Sequence, residues 1–534
     1  MNLYVNIREF IRNNPLLILI LILSAVLSCY RLKDCQMTVD EFFSINVAQR
    51  SMAEIWSLKP HPGTFYFIRF PPLYETVLHF VWRISNESLL WSRLISVLFN
   101  TLALYLVFLI AKLLFNKRTA LIALLLATLN YAYIFFPKMI RCYSFLNFLG
   151  LVSFYIFFRI AKSKVVDNKS LLSLIFINTA ILYTFYFGVF VILLELVLSC
   201  LFLARRALLK IWLGLLGSFI LFIPWVGHFL KDLAGESAFH LKISDARQFL
   251  DVLFVRFQKG IFFNTVLLIF YSAVCIYFIL SLVYLFSKKD DKASFIFSLL
   301  IIFLPTVLII SYLTSEVNKG FFIFTLKDPG RARYLFSFIF PVFILAGFFI
   351  SKLPRYIGRL AFLTLLSLSL YTISVYFRLP AKQFWPAQLA PLVNEAKAFS
   401  VPYKDKVIVE IEDSFFVPVF VYYFYGPRYF RDASVPYGGA NQKQLNAALK
   451  TNYNVVFNVA GMEKFHSFDS AARVGDFDWL FLIYSDWLED CWGKSYRKVY
   501  EEKLVEKGMQ DKIILVKKES AGTFTLEIYK VKKQ

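Results

Sequence analysis

Long apolar runs constrain this chain more than any other feature of its sequence. The first run, PLLILILILSAVLSCY at residues 15–30, contains no charged residue, and runs of about 18 or more apolar residues are long enough to cross a bilayer. The whole chain of 534 residues is 58% hydrophobic and only 18% charged, which is too apolar for a soluble protein. The sequence therefore predicts an α-helical polytopic membrane protein with about eleven spans.

The predicted spans follow one another through short loops. No small-residue cleavage pattern follows the first run, which favours an uncleaved first span over a signal peptide. The spans are predicted at residues 14–32, 91–115, 119–136, 142–160, 170–187, 188–204, 211–229, 260–286, 293–314, 333–351 and 358–377.

Basic residues occupy alternate loops of this arrangement, as expected because lysine and arginine accumulate on the cytoplasmic side. The alternation predicts a cytoplasmic N-terminus, in the plasma or inner membrane if the source is prokaryotic. It also accounts for the net charge of +22 without a nucleic acid partner. The inner segments contain Arg8, Arg12, Lys117, Arg118, Lys162, Lys164, Lys169, Arg205, Arg206, Lys210, Lys288, Lys289, Lys292, Lys352, Arg355 and Arg359.

The first external loop, residues 33–90, is predicted to contain two juxtamembrane helices. One begins near Asp40. The other, PPLYETVLHFVWRI at residues 71–84, is too short to span a bilayer and includes Glu75 and His79. Helices of this length and polarity lie along the membrane interface.

The character of the chain changes after residue 378. Short apolar segments with strand-like composition follow there, which predicts a soluble α/β domain. We therefore predict a membrane domain at residues 1–378 and a domain at residues 379–534, which eleven spans would place outside the cytoplasm. The predicted strands are 406–411, 453–460, 479–484, 512–518 and 524–531, and a helix is predicted at 495–508.

Two adjacent acids, Asp40 and Glu41, lie near the start of the stretch TVDEFFSINVAQ, residues 38–49, at the edge of the first span. Thr38 and Glu41 have the spacing of a capping box, which explains Glu41 without any chemistry. Asp40 either suits the positive end of the helix dipole or acts as a general base. Neighbouring helical side chains diverge by about 100°, so the two acids are not expected to enter one site.

Two groups of cations lie on the predicted external side, against the bias of the other loops. They either reach lipid headgroups or bind an anionic phosphate, which arginine grips with two hydrogen bonds. A phosphate attached to a lipid is the natural ligand, because a soluble phosphate needs no surrounding spans. The groups are Lys138 and Arg141 in PKMIRCY, and Lys327, Arg331 and Arg333 in KDPGRARY.

In the order and spacing of these stretches, the sequence resembles the GT-C membrane glycosyltransferases. More narrowly, it resembles family 39, the protein O-mannosyltransferases and aminoarabinose-lipid A transferases with their dolichyl-phosphate-mannose-transferase-like relatives. The resemblance covers residues 1–380 and rests on VDEFFSINVAQ, RFPPLYETVLHFVW, KMIRCYSFLNFLGLVSFY, YTFYFGVFVILLE and ARYLF.

This resemblance implies a GT-C fold and an inverting glycosyltransferase. The implied reaction moves a sugar from a polyprenyl-phosphate-linked donor to an extracytoplasmic hydroxyl of a lipid, glycan or protein. Asp40 would be the catalytic base and Glu41 its companion. The other indicated residues are Lys138, Arg141, Arg331 and Arg333 for the donor phosphate, and Tyr74, Tyr143 and Tyr334 for the substrate.

The sequence departs from the family pattern at three positions. Phe70 replaces the histidine before the Pro-Pro pair, and Glu75 stands where a second tyrosine is usual. Met139 occupies the place of the acid before Arg141, which weakens the case for a divalent cation. We therefore predict no metal-binding residues and no firm cofactor, with a divalent cation left as a weakly supported alternative.

Other protein classes remain open. A multi-span transporter or flippase for lipid-linked glycans would have polar residues near the bilayer midplane, where Glu195 is the main candidate. An O-antigen ligase or polymerase would also act on polyprenyl-linked sugars, but without the early acidic pair. A non-catalytic scaffold would explain the departures at Phe70 and Met139.

Overall fold

Helices dominate the computed structural model of this chain, and a small sheet lies near the C-terminus. The structure describes residues 12–35, 37–56, 71–234, 294–302, 336–378, 389–399, 407–411, 419–420, 423–424, 455–459, 477–485, 496–506, 508, 510–521 and 524–532.

Polar side chains mark where several helices begin. Ser88, Asn116 and Asp167 each accept a hydrogen bond from a backbone N–H three residues later, which is the usual N-cap arrangement. The helices are α1 Pro15–Cys29, α2 Val39–Ala48, α3 Met52–Ile55, α4 Leu73–Ile84, α5 Leu89–Leu114, α6 Lys117–Thr128, α7 Tyr131–Phe135, α8 Tyr143–Ser163, α9 Asn168–Leu182, α10 Val189–Phe202, α11 Arg205–Ala234, α12 Phe340–Lys352, α13 Arg355–Arg378, α14 Leu389–Phe399 and α15 Tyr496–Glu506.

The chain divides into two compact units. The first comprises Met1–Leu32, Arg69–Val317 and Phe324–Phe377, and the second comprises Lys33–Ile68, Asn318–Ile323 and Arg378–Gln534. The segment with Asp40 therefore groups with the C-terminal residues, which the sequence did not indicate. The two-domain division at residue 378 stays a prediction.

In the described part of the chain, five helices are long and apolar enough to cross a membrane, or six if one bent pair forms a single span. The protein is therefore an integral membrane protein, but a count of eleven spans is not confirmed. The predicted span at 260–286 and most of the one at 293–314 lie outside the described residues. The predicted helices near Asp40 and at 71–84 are present as α2 and α4.

Small residues allow close helix packing in the first unit. Gly347 of α12 faces α6, and a Cβ atom at this glycine would lie 2.7 Å from the Thr119 carbonyl oxygen and 3.3 Å from the Ala123 Cβ. Small residues at such contacts are typical of membrane helix pairs.

The predicted span at 119–136 is broken. α6 and the following helical segment Tyr131–Lys138 meet at 64°. The Asn130 side chain accepts a 2.9 Å hydrogen bond from the Ala132 N–H and so caps a new helix in a new direction. The break leaves the Tyr133 carbonyl accepting hydrogen bonds from two side chains, Asn100 Nδ2 at 3.0 Å and Ser28 Oγ at 3.4 Å.

A closed ring of polar side chains joins α8, α9 and α10 in the apolar interior. Ser153 Oγ lies 2.9 Å from Asn178 Oδ1 and 2.6 Å from Glu195 Oε1, and Asn178 Nδ2 donates to Glu195 Oε2 at 2.7 Å. The Ser153 hydroxyl has one hydrogen for two oxygen neighbours. All three contacts are hydrogen bonds when the Glu195 carboxyl is protonated. Its hydroxyl then donates to Ser153 Oγ, and Ser153 donates to Asn178 Oδ1.

The second unit contains a mixed five-stranded sheet in the order β2-β1-β3-β5-β4. β1 pairs in parallel with β2 and β3, and β5 pairs antiparallel with β3 and β4. All five predicted strands and the predicted helix are confirmed. The strands are β1 Val407–Ile411, β2 Val455–Val459, β3 Trp479–Ser485, β4 Ile513–Ala521 and β5 Phe524–Val531.

A buried carboxylate organises the antiparallel half of this sheet. Glu527 on β5 is fully buried and lies opposite Lys518 on β4, whose Nζ is 2.8 Å from Glu527 Oε1. The hydroxyls of Tyr484 and Tyr529 donate to the same carboxylate at 3.0 and 2.6 Å, and Arg497 forms an ion pair with it at 3.1 Å. These partners offset the cost of burying the charge.

Candidate functional site

Three stretches that lie far apart in the sequence meet in the first unit. The backbone N–H of Leu73, at the start of α4, donates to the Tyr183 carbonyl at 2.9 Å. The ring of Tyr74 lies 6.5 Å from that of Phe145, and the Tyr143 ring lies 6.1 Å from Phe185. The start of α4, the start of α8 and the turn before α10 thus form one region that contains Tyr74 and Tyr143.

The segment from Ala132 to Asn147 is buried at every position, although the sequence predicts an external stretch at 137–141. Lys138 is 0% exposed, which excludes the alternative that it reaches lipid headgroups. Its Nζ donates to the carbonyls of Ser28 at 2.7 Å and Tyr30 at 2.6 Å, at the C-terminal end of α1. A cation there satisfies helix carbonyls that lack intrahelical partners.

Arg93 is a buried cation that sequence reasoning missed. It lies in the first turn and a half of α5 with 2% exposure, and its Nε donates to the Lys138 carbonyl at 2.9 Å. The signal was an arginine inside the apolar run LLWSRLISVLFN, because charges within spans are rare and face the protein interior. Arg93 and Lys138 together fix the segment that leads to Arg141.

Arg141 lies at the start of a long helix. It is 4% exposed, its guanidinium carbon is 5.9 Å from the centre of the Tyr143 ring, and α8 begins two residues later. The N-cap residue of α8, Cys142, makes no side-chain cap hydrogen bond. Backbone N–H groups and the helix dipole attract anions at such a terminus, and the guanidinium adds a full positive charge.

Tyr74 of α4 borders this positive region. Burial raises the pKa of Tyr74 well above its usual range, and the nearby Cys142 and Glu75 raise it further, while Ser96 and Arg141 act in the opposite direction. The phenol therefore keeps its proton at physiological pH and is able to donate a hydrogen bond to an anion.

The acidic pair lies on α2 in the second unit. The Thr38 N–H donates to Glu41 Oε2 at 2.7 Å, and the Glu41 N–H donates to Thr38 Oγ1 at 3.2 Å. This confirms the capping box. Glu41 is fully buried and Asp40 is half-buried. The catalytic roles of Asp40 and Glu41 stay predictions.

Several predicted site residues lie outside the described part of the chain, namely Arg331, Arg333 and Tyr334, together with Phe70 and Lys327. Among the described residues, no three histidine, cysteine, aspartate or glutamate side chains cluster in a way that would hold a metal ion. Metal dependence thus remains an open prediction.

Comparisons with known proteins show the fold of the chain. No family model matches it, and no curated protein matches it in sequence. It is similar in structure to ArnT from Cupriavidus metallidurans in the apo state, with a TM-score of 0.52 and 11% identity over 96% of this chain and 97% of ArnT. ArnT bound to undecaprenyl phosphate gives a TM-score of 0.51 with the same identity and shares.

The apo oligosaccharyltransferase of Archaeoglobus fulgidus is also similar, with a TM-score of 0.49 and 12% identity over 88% of this chain and 69% of that enzyme. These structural neighbours are GT-C fold membrane glycosyltransferases. At such low identity, the likeness to ArnT establishes the fold alone. The GT-C fold implied by the sequence resemblance is therefore confirmed.

Proposed function

We propose that this membrane protein is a glycosyltransferase that uses a polyprenyl-phosphate-linked sugar as donor. The observation that carries the proposal is the buried Arg141 at the start of α8, beside Tyr74 and Tyr143. In a protein with the GT-C fold, such a positive region suits the phosphate of an anionic lipid. ArnT, which has this fold, binds undecaprenyl phosphate.

In the proposed reaction, a hydroxyl oxygen of a lipid, glycan or protein acceptor attacks the anomeric carbon of the sugar. Asp40 accepts the hydroxyl proton as the new bond forms. The bond between the anomeric carbon and the phosphate oxygen breaks, and its electron pair leaves with polyprenyl phosphate. Attack from the face opposite the phosphate inverts the anomeric configuration.

Positive charge near the departing phosphate stabilises the transition state. Arg141 provides this charge in the proposal, and Arg331 and Arg333 complete the group. Tyr74, Tyr143 and Tyr334 contact the substrate. The contacts of Lys138 with the end of α1 favour a positioning role over direct phosphate binding.

Glu41 has a comparable positioning role, since its carboxylate binds the Thr38 backbone. The N-terminus is cytoplasmic in this proposal. The active site and the C-terminal domain face the opposite side of the membrane in the same proposal, which the alternation of basic loops supports.

A transporter gains less support from the structure. Glu195, the acid that the sequence offers for a transport path, is fully buried and bound by Ser153 and Asn178. A substrate path would require this acid to face a cavity or a moving ligand.

A donor panel tests the proposal. The purified full-length protein in lipid nanodiscs is incubated with undecaprenyl-phosphate and dolichyl-phosphate sugars and an acceptor mixture, and released polyprenyl phosphate is measured. We expect release from at least one donor and an acceptor product of inverted configuration. No release from any donor, or a product that retains the donor configuration, would contradict the proposal.

A further inference from the structure

A hydrogen bond ties the residue before the α2 capping box to a distant part of the chain. The backbone N–H of Met37 donates to the hydroxyl of Tyr423 at 2.7 Å, across a separation of 386 residues. Both residues belong to the second unit. Met37 is almost fully buried and Tyr423 is half-buried.

Tyr423 is itself attached to the sheet of this unit. Its neighbour Phe424 is buried and stacks on Phe420 with ring centres 5.2 Å apart. Phe424 also contacts Phe481 of β3, with ring centres 6.3 Å apart. A continuous series of contacts therefore links β3 to the Tyr423 hydroxyl and from there to the Met37 backbone.

This bond lies immediately before the first turn of α2. Thr38 is the N-cap of α2, its own N–H is held by Glu41, and Asp40 lies in the first turn. The capping box fixes the turn internally, but it does not fix the turn relative to the rest of the protein. The Tyr423 bond supplies one external attachment directly before the cap.

We propose that Tyr423 is a positioning residue through which the C-terminal α/β domain holds the turn that contains Asp40. This inference rests on the proposed function for the role of Asp40, but not for the attachment itself. A base acts only when it is held within hydrogen-bond reach of its proton. A displacement of about 1 Å at a reacting group costs on the order of 100-fold in rate.

Two substitutions distinguish positioning from general stability. Tyr423→Phe removes the acceptor of the Met37 N–H and keeps the ring. Tyr484→Phe is the matched control, because it removes a hydroxyl hydrogen bond to Glu527 in the same unit. Both variants are made in the full-length protein in nanodiscs, so that the membrane domain remains present.

The first readout is amide hydrogen exchange at single-residue resolution, which needs no substrate. Exchange of the Met37 amide should become about tenfold faster in Tyr423→Phe and stay unchanged in Tyr484→Phe, because the loss of a local bond opens only its own segment. Amides of β5 should exchange as in the wild type in Tyr423→Phe, which shows that the sheet is intact. Unchanged exchange at Met37 would overturn the inference.

The second readout is steady-state turnover with a donor that the wild type accepts. Tyr423→Phe should lower kcat about 10- to 100-fold while KM for the donor stays within about twofold. Faster exchange with an unchanged kcat would refute the link to Asp40. A wild type that releases no polyprenyl phosphate would overturn the proposed function and the catalytic half of this inference, while the exchange data still decide whether Tyr423 holds the segment.

Discussion

The ammonium of Lys138 donates a 2.6 Å hydrogen bond to the carbonyl of Tyr30. This bond joins the segment after the helix break, Tyr131–Lys138, to the end of α1. The same ammonium donates to Ser28 at 2.7 Å and lies 3.4 Å from the Leu27 carbonyl. Three carbonyls at the C-terminal end of α1 thus surround a donor that has three hydrogens. Lys138, which the sequence predicts as a phosphate ligand, therefore has backbone carbonyls of the protein as hydrogen-bond partners.

Substitution of Lys138 should therefore reduce stability more than donor binding. Lys138→Met removes the donor from the buried Ser28 carbonyl and from the part-buried Leu27 and Tyr30 carbonyls, and each buried group left unsatisfied costs about 1–3 kcal/mol. We expect a lower unfolding temperature for the purified protein in detergent. Lys117→Met is the control, because the Lys117 ammonium is exposed and donates to the Asn13 carbonyl. A Lys138→Met protein with wild-type thermal stability but weakened lipid phosphate binding would restore Lys138 as a direct ligand.

Arg141 should behave in the opposite way. Arg141→Lys keeps the positive charge but loses the planar fork that binds two phosphate oxygens, and Arg141→Gln loses the charge as well. A charge-assisted hydrogen bond contributes about 1.5–3 kcal/mol, which predicts about 10- to 150-fold weaker binding of undecaprenyl phosphate by Arg141→Gln. Equilibrium binding in detergent measures this loss.

The exposed Arg83 at the end of α4 supplies the control for Arg141. Arg83→Gln removes a cation from the same unit but leaves the positive region at the start of α8 unchanged. Equal affinities of wild type and Arg141→Gln for undecaprenyl phosphate would remove Arg141 from the proposed site.

The ring around Glu195 predicts an asymmetry between two substitutions. Glu195→Gln keeps a donor for Ser153 and an acceptor for Asn178, so the ring closes as it does with a protonated acid. Glu195→Ala leaves Ser153 and Asn178 with only their mutual contact, at a cost of about 1–3 kcal/mol for each group that becomes unsatisfied. Thermal unfolding should show a near wild-type Glu195→Gln protein and a destabilised Glu195→Ala protein. A Glu195→Gln protein as unstable as Glu195→Ala would show that the acid is ionised.

The sequence predicted the elements of the fold better than their arrangement. Apolar length located the helices, and short apolar segments of strand-like composition located all five strands, because both signals are local. The break between α6 and α7 lies at Asn130, whose side chain caps α7, but a capping residue does not state the angle of the bend. The burial of the segment around Lys138 depends on contacts with α1 and α5, which are far away in the sequence.

The same division applies to the candidate site. Thr38 and Glu41 were predictable as a capping box because their spacing alone defines it. Tyr423 was not predictable, because its partner is a backbone N–H at Met37 and no side-chain pattern marks such a bond. Arg93 lay between these cases, since its type and apolar surroundings were visible but its partner, the Lys138 carbonyl, was not.

Glu527 predicts how the C-terminal sheet responds to acid. Burial raises the pKa of Glu527, but hydrogen bonds from Lys518, Tyr529 and Tyr484 and the charge of Arg497 lower it more, so that it lies below its usual range. A lowered folded-state pKa stabilises the fold above the unfolded-state value of about 4.3 and this stability is lost as pH falls through the folded-state pKa. We expect Glu527→Gln to lower the unfolding temperature at pH 7. The further fall in unfolding temperature below about pH 4 should be smaller in this variant than in the wild type.

Thermal unfolding of the full-length protein between about pH 3 and pH 7 measures this dependence. Glu502→Gln is the control, because Glu502 is an exposed acid on α15. If wild type and Glu527→Gln lose stability in parallel as the solution is acidified, the acid response has another source.

We propose that Asp40 takes the proton of an acceptor hydroxyl during sugar transfer from a lipid phosphate. Asp40→Asn keeps the size and the N-terminal helical position of this side chain but removes the base, and a positioned base contributes about 10²- to 10⁴-fold to the rate. Asp34→Asn, at an exposed aspartate earlier in the same segment, is the matched control. The decisive measurement is the rate of polyprenyl phosphate release from an accepted donor by folded wild type, Asp34→Asn and Asp40→Asn proteins. We expect a loss of about 10²- to 10⁴-fold in Asp40→Asn alone, and a wild-type rate in that variant would contradict the role of Asp40 as the base.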